Sequence, residues 1–337
     1  WRKQIERRAL ENSPHLISSS PPDAGYPGAH RAHQEPAEER IIPVRRYQYI
    51  RNVWRLGNQY HKLIMTTIIA DLSDLHVNQT VAVCPPVVNL DDGGTYHASR
   101  TQSWLYECWL DFAKQFYSIV AARHIVAIKG DAAELDTKRR SVQIITANKA
   151  TIQRMTQEVL EPVVNEADTL LFFRGTPAHT GKSSWIEETI AADYLHTKWS
   201  SKAAASWWHM QATIDGVRFD MAHHAPMPGD QQNYPKASID LAKRAMWHYN
   251  SILHQPAPHI ISRSHNHRFA DSYDNFETRA IFTGAWTVMP EYGYRAGKEL
   301  ALSHIGGVIY ICDNGNVEVK KLKYEPKEAR RVWQNKI

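Results

Sequence analysis

Five short clusters of acids and imidazoles are spaced along the chain: Asp74-Leu75-His76, Gly130-Asp131, Gly175 to His179, His223-His224 and His265-Asn266-His267. Each follows a short apolar run of the kind that forms a β-strand. Ligand sites in open α/β sheets form in the crevice beyond the strand ends, so strands lying side by side would gather all five clusters. Oxygen and nitrogen donors of this kind suit borderline divalent ions such as Mn, Fe, Zn, Co or Ni, and a carboxylate can bridge two of them. Two ions about 3.5 to 4 Å apart lower the pKa of a bound water and clamp both oxygens of an in-line displacement, which is hydrolytic chemistry. No thiolate lies near the clusters in sequence, which disfavours a structural zinc of the cysteine type.

Taken singly, the clusters say little. Gly130-Asp131 is a common turn, His223-His224 alone favours a structural role, and a chain with 18 histidines contains pairs by chance. Asp74 with His76, and His265 with His267, carry more weight. Alternation along an extended segment puts each pair on one side, where neutral imidazoles chelate well.

The elements that must position these residues alternate. Strands are expected over 66–71, 124–129 and 169–173, with helices over 100–120, 147–165 and 183–196. Leu105, Trp109, Phe112 and Phe116 recur at helical spacing, which reads as core packing. Hairpins follow: 206–214 and 217–222 about Asp215-Gly216, and 307–312 and 317–322 near the end, with an amphipathic helix 238–254 and a strand 259–262 between them. The class is α/β, built as one mixed sheet or as two packed sheets flanked by helices. Loop 77–97, with Asp91, Asp92 and His97, and the segment from Met227 to Tyr234 are expected to border the mouth of the site.

A chain of 337 residues with 43% apolar content can bury a sizeable core. No run approaches the ~20 apolar residues that span a bilayer, and none resembles a signal peptide, so the cytoplasm is the expected location. Cys84, Cys108 and Cys312 are too scattered for a disulfide frame and are expected to be reduced and mostly buried. Residues 1–64 hold 11 Lys and Arg against 6 Asp and Glu, which accounts for the whole net charge of +5. The rest is neutral overall, which favours a small substrate over nucleic acid. We expect 1–64 to be a disordered or non-native extension, or a basic partner-binding arm, and 65–337 to be the functional domain.

In chain order, Asp-x-His, Gly-Asp, a glycine turn with a histidine, His-His and x-His-x-His resemble the calcineurin-like metallophosphoesterases, from about Met65 to Leu322. The loop with Cys84-Pro85-Pro86 and the Trp-bearing helix after it look like members common in bacteriophage and prophage genomes. The resemblance implies a sandwich of two central mixed β-sheets flanked by helices. It also implies a dinuclear metal-dependent phosphatase or phosphodiesterase, with manganese favoured. By residue, it implies Asp74, His76 and His267 on one ion, Asp131 bridging, and His223 and His265 on the other, with His224 a register-shifted substitute for His223. A metal-bridging hydroxide would attack phosphorus, and His179 would protonate the leaving group or stabilise the transition state.

Three positions depart from the family pattern. Thr176 stands where the family has an Asn ligand, making His179 an alternative ligand there; Glu134 replaces an Asp and Ser264 a Gly. A metal-binding scaffold without catalysis is the alternative from a different class. Gly175 to Ser183 nearly spells a P-loop, as a nucleotidase would require, but has one residue too many between its glycines. His265-Asn266-His267 spells HNH only superficially, because HNH nucleases spread those residues over a ββα unit.

Overall fold

The computed structural model describes residues 66–135, 143–226, 236–291, 293 and 302–326. The expected extension 1–64, and the segment from Met227 to Tyr234, lie outside the described residues. The first six strands are β1 (Thr67–Leu72), β2 (Val87–Asn89), β3 (Thr95–His97), β4 (Arg123–Lys129), β5 (Thr169–Phe173) and β6 (His209–Ile214). The others are β7 (Val217–Ala222), β8 (Ile260–Arg263), β9 (Ala270–Asp271), β10 (Arg279–Phe282), β11 (Ile305–Asp313) and β12 (Asn316–Tyr324). The α-helices are α1 (Arg100–Ser118), α2 (Lys149–Val164), α3 (Pro177–Thr180), α4 (Trp185–Asp193) and α5 (Ala237–Trp247).

The strands make two five-stranded mixed sheets. One runs β12-β11-β1-β4-β5 and the other β6-β7-β8-β10-β9, while β2 and β3 form a separate hairpin. In the first sheet β1, β4 and β5 are parallel, so Asp74, Asp131 and Thr176 emerge at the same edge. In the second, β7, β8 and β10 are parallel and deliver His223 and His265.

The twofold alternation of strand side chains sorts residues into layers. Ile68, Ala70 and Leu72 of β1 pack with Val126 and Ile128 of β4 under α1 and α2. The intervening Ile69, Ile125 and Ala127 face the other way, meeting Val217, Phe219, Met221, Ile260 and Ile281 of the second sheet. That sheet's outer face, with Ile261, Ala280 and Phe282, is covered by Ala237, Leu241 and Ala242 of α5. The two sheets thus pack face to face between helical layers. No helix among the described residues is long and apolar enough to cross a membrane.

Helix α1 starts at a capping box: Ser99 accepts from the Gln102 amide, and the Gln102 side chain accepts from the Ser99 amide. Its aromatic stripe is core, since Leu105, Trp109, Phe112 and Phe116 are all wholly buried. Cys84, Cys108 and Cys312 are free and buried. Two helices differ from expectation. The stretch after Gly181 first makes a 3-10 turn, Lys182–Ser184, and only then α4; α5 ends at Trp247 in a π-turn, His248–Ile252.

One polar group is sealed between the sheets. Lys129 Nζ lies 3.1 Å from Asp71 Oδ1 and donates to Ser262 Oγ at 2.5 Å and to the Arg263 carbonyl at 3.1 Å. Ser262 and Tyr310 both donate to Asp71 Oδ2, at 2.5 and 3.1 Å. These residues come from β1, β4, β8 and β11, so the group ties the two sheets together just below the strand ends that carry the clusters.

Candidate metal centre

Beyond β1 and β4 the chain turns sharply into the crevice. Asp74, His76, Asp131, His265 and His267 all have positive φ, between 47° and 75°, a region non-glycine residues seldom enter and which costs roughly 1–3 kcal/mol each. Backbone bonds hold the turns: the Asp74 amide donates to the Gly130 carbonyl (3.1 Å) and the His76 amide to the Asp131 carbonyl (2.9 Å). His265 and His267 therefore do not lie along an extended strand. Their left-handed turns send them to different neighbours.

The side chains gather in overlapping groups whose ligand atoms lie within 4.8 Å of one another: Asp74, His76 and His267; Asp74, Asp131, His223 and His265; His223, His224 and His265; and His76, Glu134 and His179. Asp74 belongs to both of the first two sets, whereas Asp131 belongs to one. Asp74, His76, Asp131 and His223 are buried, while His265 and His267 are partly exposed. His179 stands with His76 and Glu134, apart from Thr176 and the His223 group.

Each imidazole's orientation follows from what holds its other nitrogen. His76 Nδ1 donates to Glu134 Oε2 (2.9 Å) and His223 Nδ1 to the Lys129 carbonyl (2.6 Å). In the neutral ring that leaves the Nε2 lone pair of each pointing inward, the arrangement typical of metal-ligating histidines. His76 Nε2 lies 3.1 Å from His267 Nε2, and His223 Nε2 lies 3.0 Å from Asp131 Oδ2. Asp131 Oδ1 accepts from the Thr176 amide at 2.6 Å, and the His265 amide donates to Asp74 Oδ2 at 3.1 Å.

Glu134, a position expected to support the turn and the residues behind the ligands, does so directly: its Oε2 accepts from both His76 Nδ1 and His179 Nδ1, the latter at 2.8 Å. Its place three residues after Asp131 was the available signal. Thr176 Oγ1 sits amid the second set, 3.0 Å from Asp131 Oδ2 and 3.2 to 3.4 Å from His223, His224 and His265. The stretch after it does not make a phosphate loop. The amides of His179 and Thr180 donate to the Thr176 carbonyl and that of Gly181 to the Pro177 carbonyl, so they are not free to wrap a phosphate.

Charge follows packing. Burial opposes ionisation of Asp74 and Asp131, but the adjacent His267 and His223 hold both carboxyls well below the usual range. Burial likewise disfavours charge on His223, yet Asp131 and Asp74 push it up to about 9. His224 goes the other way, down to about 4, through burial and the charges of His223 and His265. Glu187 on α4, wholly buried, is pushed up to about 8 by burial and by Asp131.

Two glycines make the close approach possible. A Cβ on Gly175 would lie 2.2 Å from the Asp131 amide nitrogen and from its Oδ1. One on Gly130, at φ +82°, would lie 2.7 Å from Gly175 Cα and 2.8 Å from His223 Nδ1. Gly175→Ala is therefore expected to push Asp131 out of place and weaken metal uptake while the far-UV circular dichroism stays that of the parent. Unchanged uptake would show that Asp131 is not held by this contact.

No family model matches the chain, and no curated protein matches its sequence. Among solved structures, it is similar to Vps29 from Chaetomium thermophilum, with 10% identity and a TM-score of 0.35 over 80% of this chain and 100% of that one. Vacuolar Protein Sorting 29 from Cryptosporidium parvum matches at 11% identity and a TM-score of 0.31, over 78% of this chain and 100% of that one. The Thermotoga maritima protein TM1076 matches at 12% and 0.31, over 77% and 100%.

The donor set itself fits divalent ions. Asp74 Oδ1 is buried and has no hydrogen-bond partner, although His267 Nε2 is 3.3 Å away and Nε2 of His76 and of His223 each 4.0 Å. Leaving a buried charged oxygen without a donor is costly, and a cation placed among these atoms removes that cost.

Proposed function

We propose that the crevice holds two divalent ions and that the protein is a metal-dependent phosphoesterase of the calcineurin-like type, acting on small phosphomono- or diesters. The observation that carries this reading is the buried Asp74 Oδ1, which has no hydrogen-bond partner and faces His267 Nε2 at 3.3 Å and two further imidazoles whose Nδ1 atoms are already engaged. The two facing mixed sheets and the strand-end order of the clusters support it. Asp74, His76 and His267 would hold one ion and Asp131, His223 and His265 the other, with Asp74, a member of both sets, beside both ions; the family resemblance gives the bridging role to Asp131. Bound there, the ions would neutralise charge on a phosphoryl group and lower the pKa of water.

The chain's own residues do the rest. Glu134 and the Lys129 carbonyl fix the tautomers of His76 and His223, and the Thr176 amide fixes Asp131. His179 is suited to give a proton to the leaving oxygen. Burial works against its charge, but the Glu134 hydrogen bond and the carboxylates of Asp131, Glu134 and Asp74 raise its pKa above the ordinary value. His179→Ala is expected to slow turnover by about 10²- to 10⁴-fold, the range of a general acid, with both ions retained. Loss of an ion from that variant would make His179 a ligand instead.

One observation favours a second reading, a metal-binding scaffold without catalysis: an uncharged hydroxyl, Thr176 Oγ1, stands amid the second donor set. Hydrolysis of bis-p-nitrophenyl phosphate by chelator-stripped protein, before and after Mn or Zn is returned, separates the two. Turnover that appears only with metal supports the enzyme, and metal uptake without turnover supports the scaffold.

A further inference from the structure

We propose that His224 is a ligand of the second ion, giving it the three imidazoles of His223, His224 and His265, and that this raises the site's selectivity for zinc-type ions over manganese. The assignment rests on the two-ion reading above. His223 and His224 are adjacent in sequence, and on a continuing strand they would point to opposite faces. The strand stops at Ala222, however, and the two rings lie against each other rather than on opposite faces. The His224 ring centroid lies 4.6 Å from that of His223 and 4.5 Å from that of His265.

Nitrogen atoms of all three rings lie within 4.8 Å of one another, close enough to share an ion. His265 Nδ1, His224 Nε2 and His223 Nε2 lie 3.2, 3.3 and 3.4 Å from Thr176 Oγ1, and Asp131 Oδ2 lies 3.0 Å from it. Three protonated imidazoles this close repel one another, whereas three neutral ones around a cation do not. The threonine hydroxyl is the weakest donor present, since protein sites for such ions draw on imidazole, carboxylate and thiolate. His224 supplies the strong donor that Thr176 cannot.

Donor type then sets metal preference. Imidazole suits zinc, iron, nickel and copper, while carboxylate and water suit magnesium and manganese. The group Asp74, His76 and His267 has two imidazoles, and the group His223, His224 and His265 has three. The manganese preference expected from the family resemblance therefore gives way at the second position.

The test is metal uptake, read without substrate. Stripped wild-type and His224→Ala proteins are dialysed against buffered free zinc, and separately manganese, and bound ions are counted by elemental analysis. Visible spectra of the cobalt-loaded proteins report the ligand change. The variant is expected to keep the first ion, bind the second zinc at least ~10-fold more weakly, and lose part of its zinc-over-manganese selectivity there. Although its ring packs against His223 and His265, His224 as a whole residue is largely exposed, so its removal leaves the core intact, and the retained first ion serves as the folding control. A variant that binds the second zinc as tightly as wild type, with an unchanged cobalt spectrum, overturns the His224 assignment alone. Wild-type protein that takes up fewer than two zinc ions overturns the two-ion reading and this assignment with it.

Discussion

Asp131→Asn is expected to reduce metal-dependent phosphoester hydrolysis by at least ~10³-fold, the scale of the several kcal/mol that a bound ion contributes to a charged transition state. The substitution keeps the side chain's shape and its Oδ1 acceptor for the Thr176 amide, but removes the charge that His223 and His265 face. Ion counting on the same variant tests the bridging role. A bridging carboxylate supports both ions, so its loss weakens both; a terminal one weakens only the second. Asp74→Asn is the partner measurement, because Asp74 lies in both donor sets. An Asp131→Asn protein that turns over at the parent rate would remove Asp131 from the chemistry.

Lys129→Met is expected to destabilise the fold by about 3–5 kcal/mol, the cost of leaving a buried charge without its partner. Lys129 and Asp71 are both wholly inaccessible, and burial lowers the lysine's pKa even though Asp71 opposes the shift. Without the ammonium, Asp71 keeps only the hydroxyls of Ser262 and Tyr310. Urea unfolding followed by tryptophan fluorescence measures the change. The double variant Lys129→Met with Asp71→Leu should recover much of it, since apolar replacement of a whole buried pair is often neutral or stabilising. A single variant as stable as the parent would mean the pair contributes nothing to joining the sheets. The pair also bears on the metal centre, because the Lys129 carbonyl is what holds His223 Nδ1.

Much of the framework was legible in the sequence, for a physical reason. Strands buried on both faces, such as β1 and β5, read as mostly apolar runs, and a long amphipathic helix such as α1 shows its 3.6-residue period. The strands that went unread are β2, β3, β9 and β10, of two to four residues each, too short for alternation to register. The clusters could be located because acids and histidines directly after apolar runs stand out. Strand alternation alone could not sort them into groups, because left-handed turns keep Asp74 and His76 together but part His265 from His267; the grouping came from the family resemblance. The supporting place of Glu134 was legible from its spacing after Asp131, but that it holds both His76 and His179 was not, because no local pattern names the partners.

The most direct test of the central claim is turnover of bis-p-nitrophenyl phosphate measured against ions bound per chain, as stripped protein is titrated with zinc or manganese. The two-ion reading predicts negligible hydrolysis through the first equivalent and a rise that tracks the second. Full activity with no ion or only one, or two bound ions without hydrolysis of this or the corresponding monoester, would contradict it.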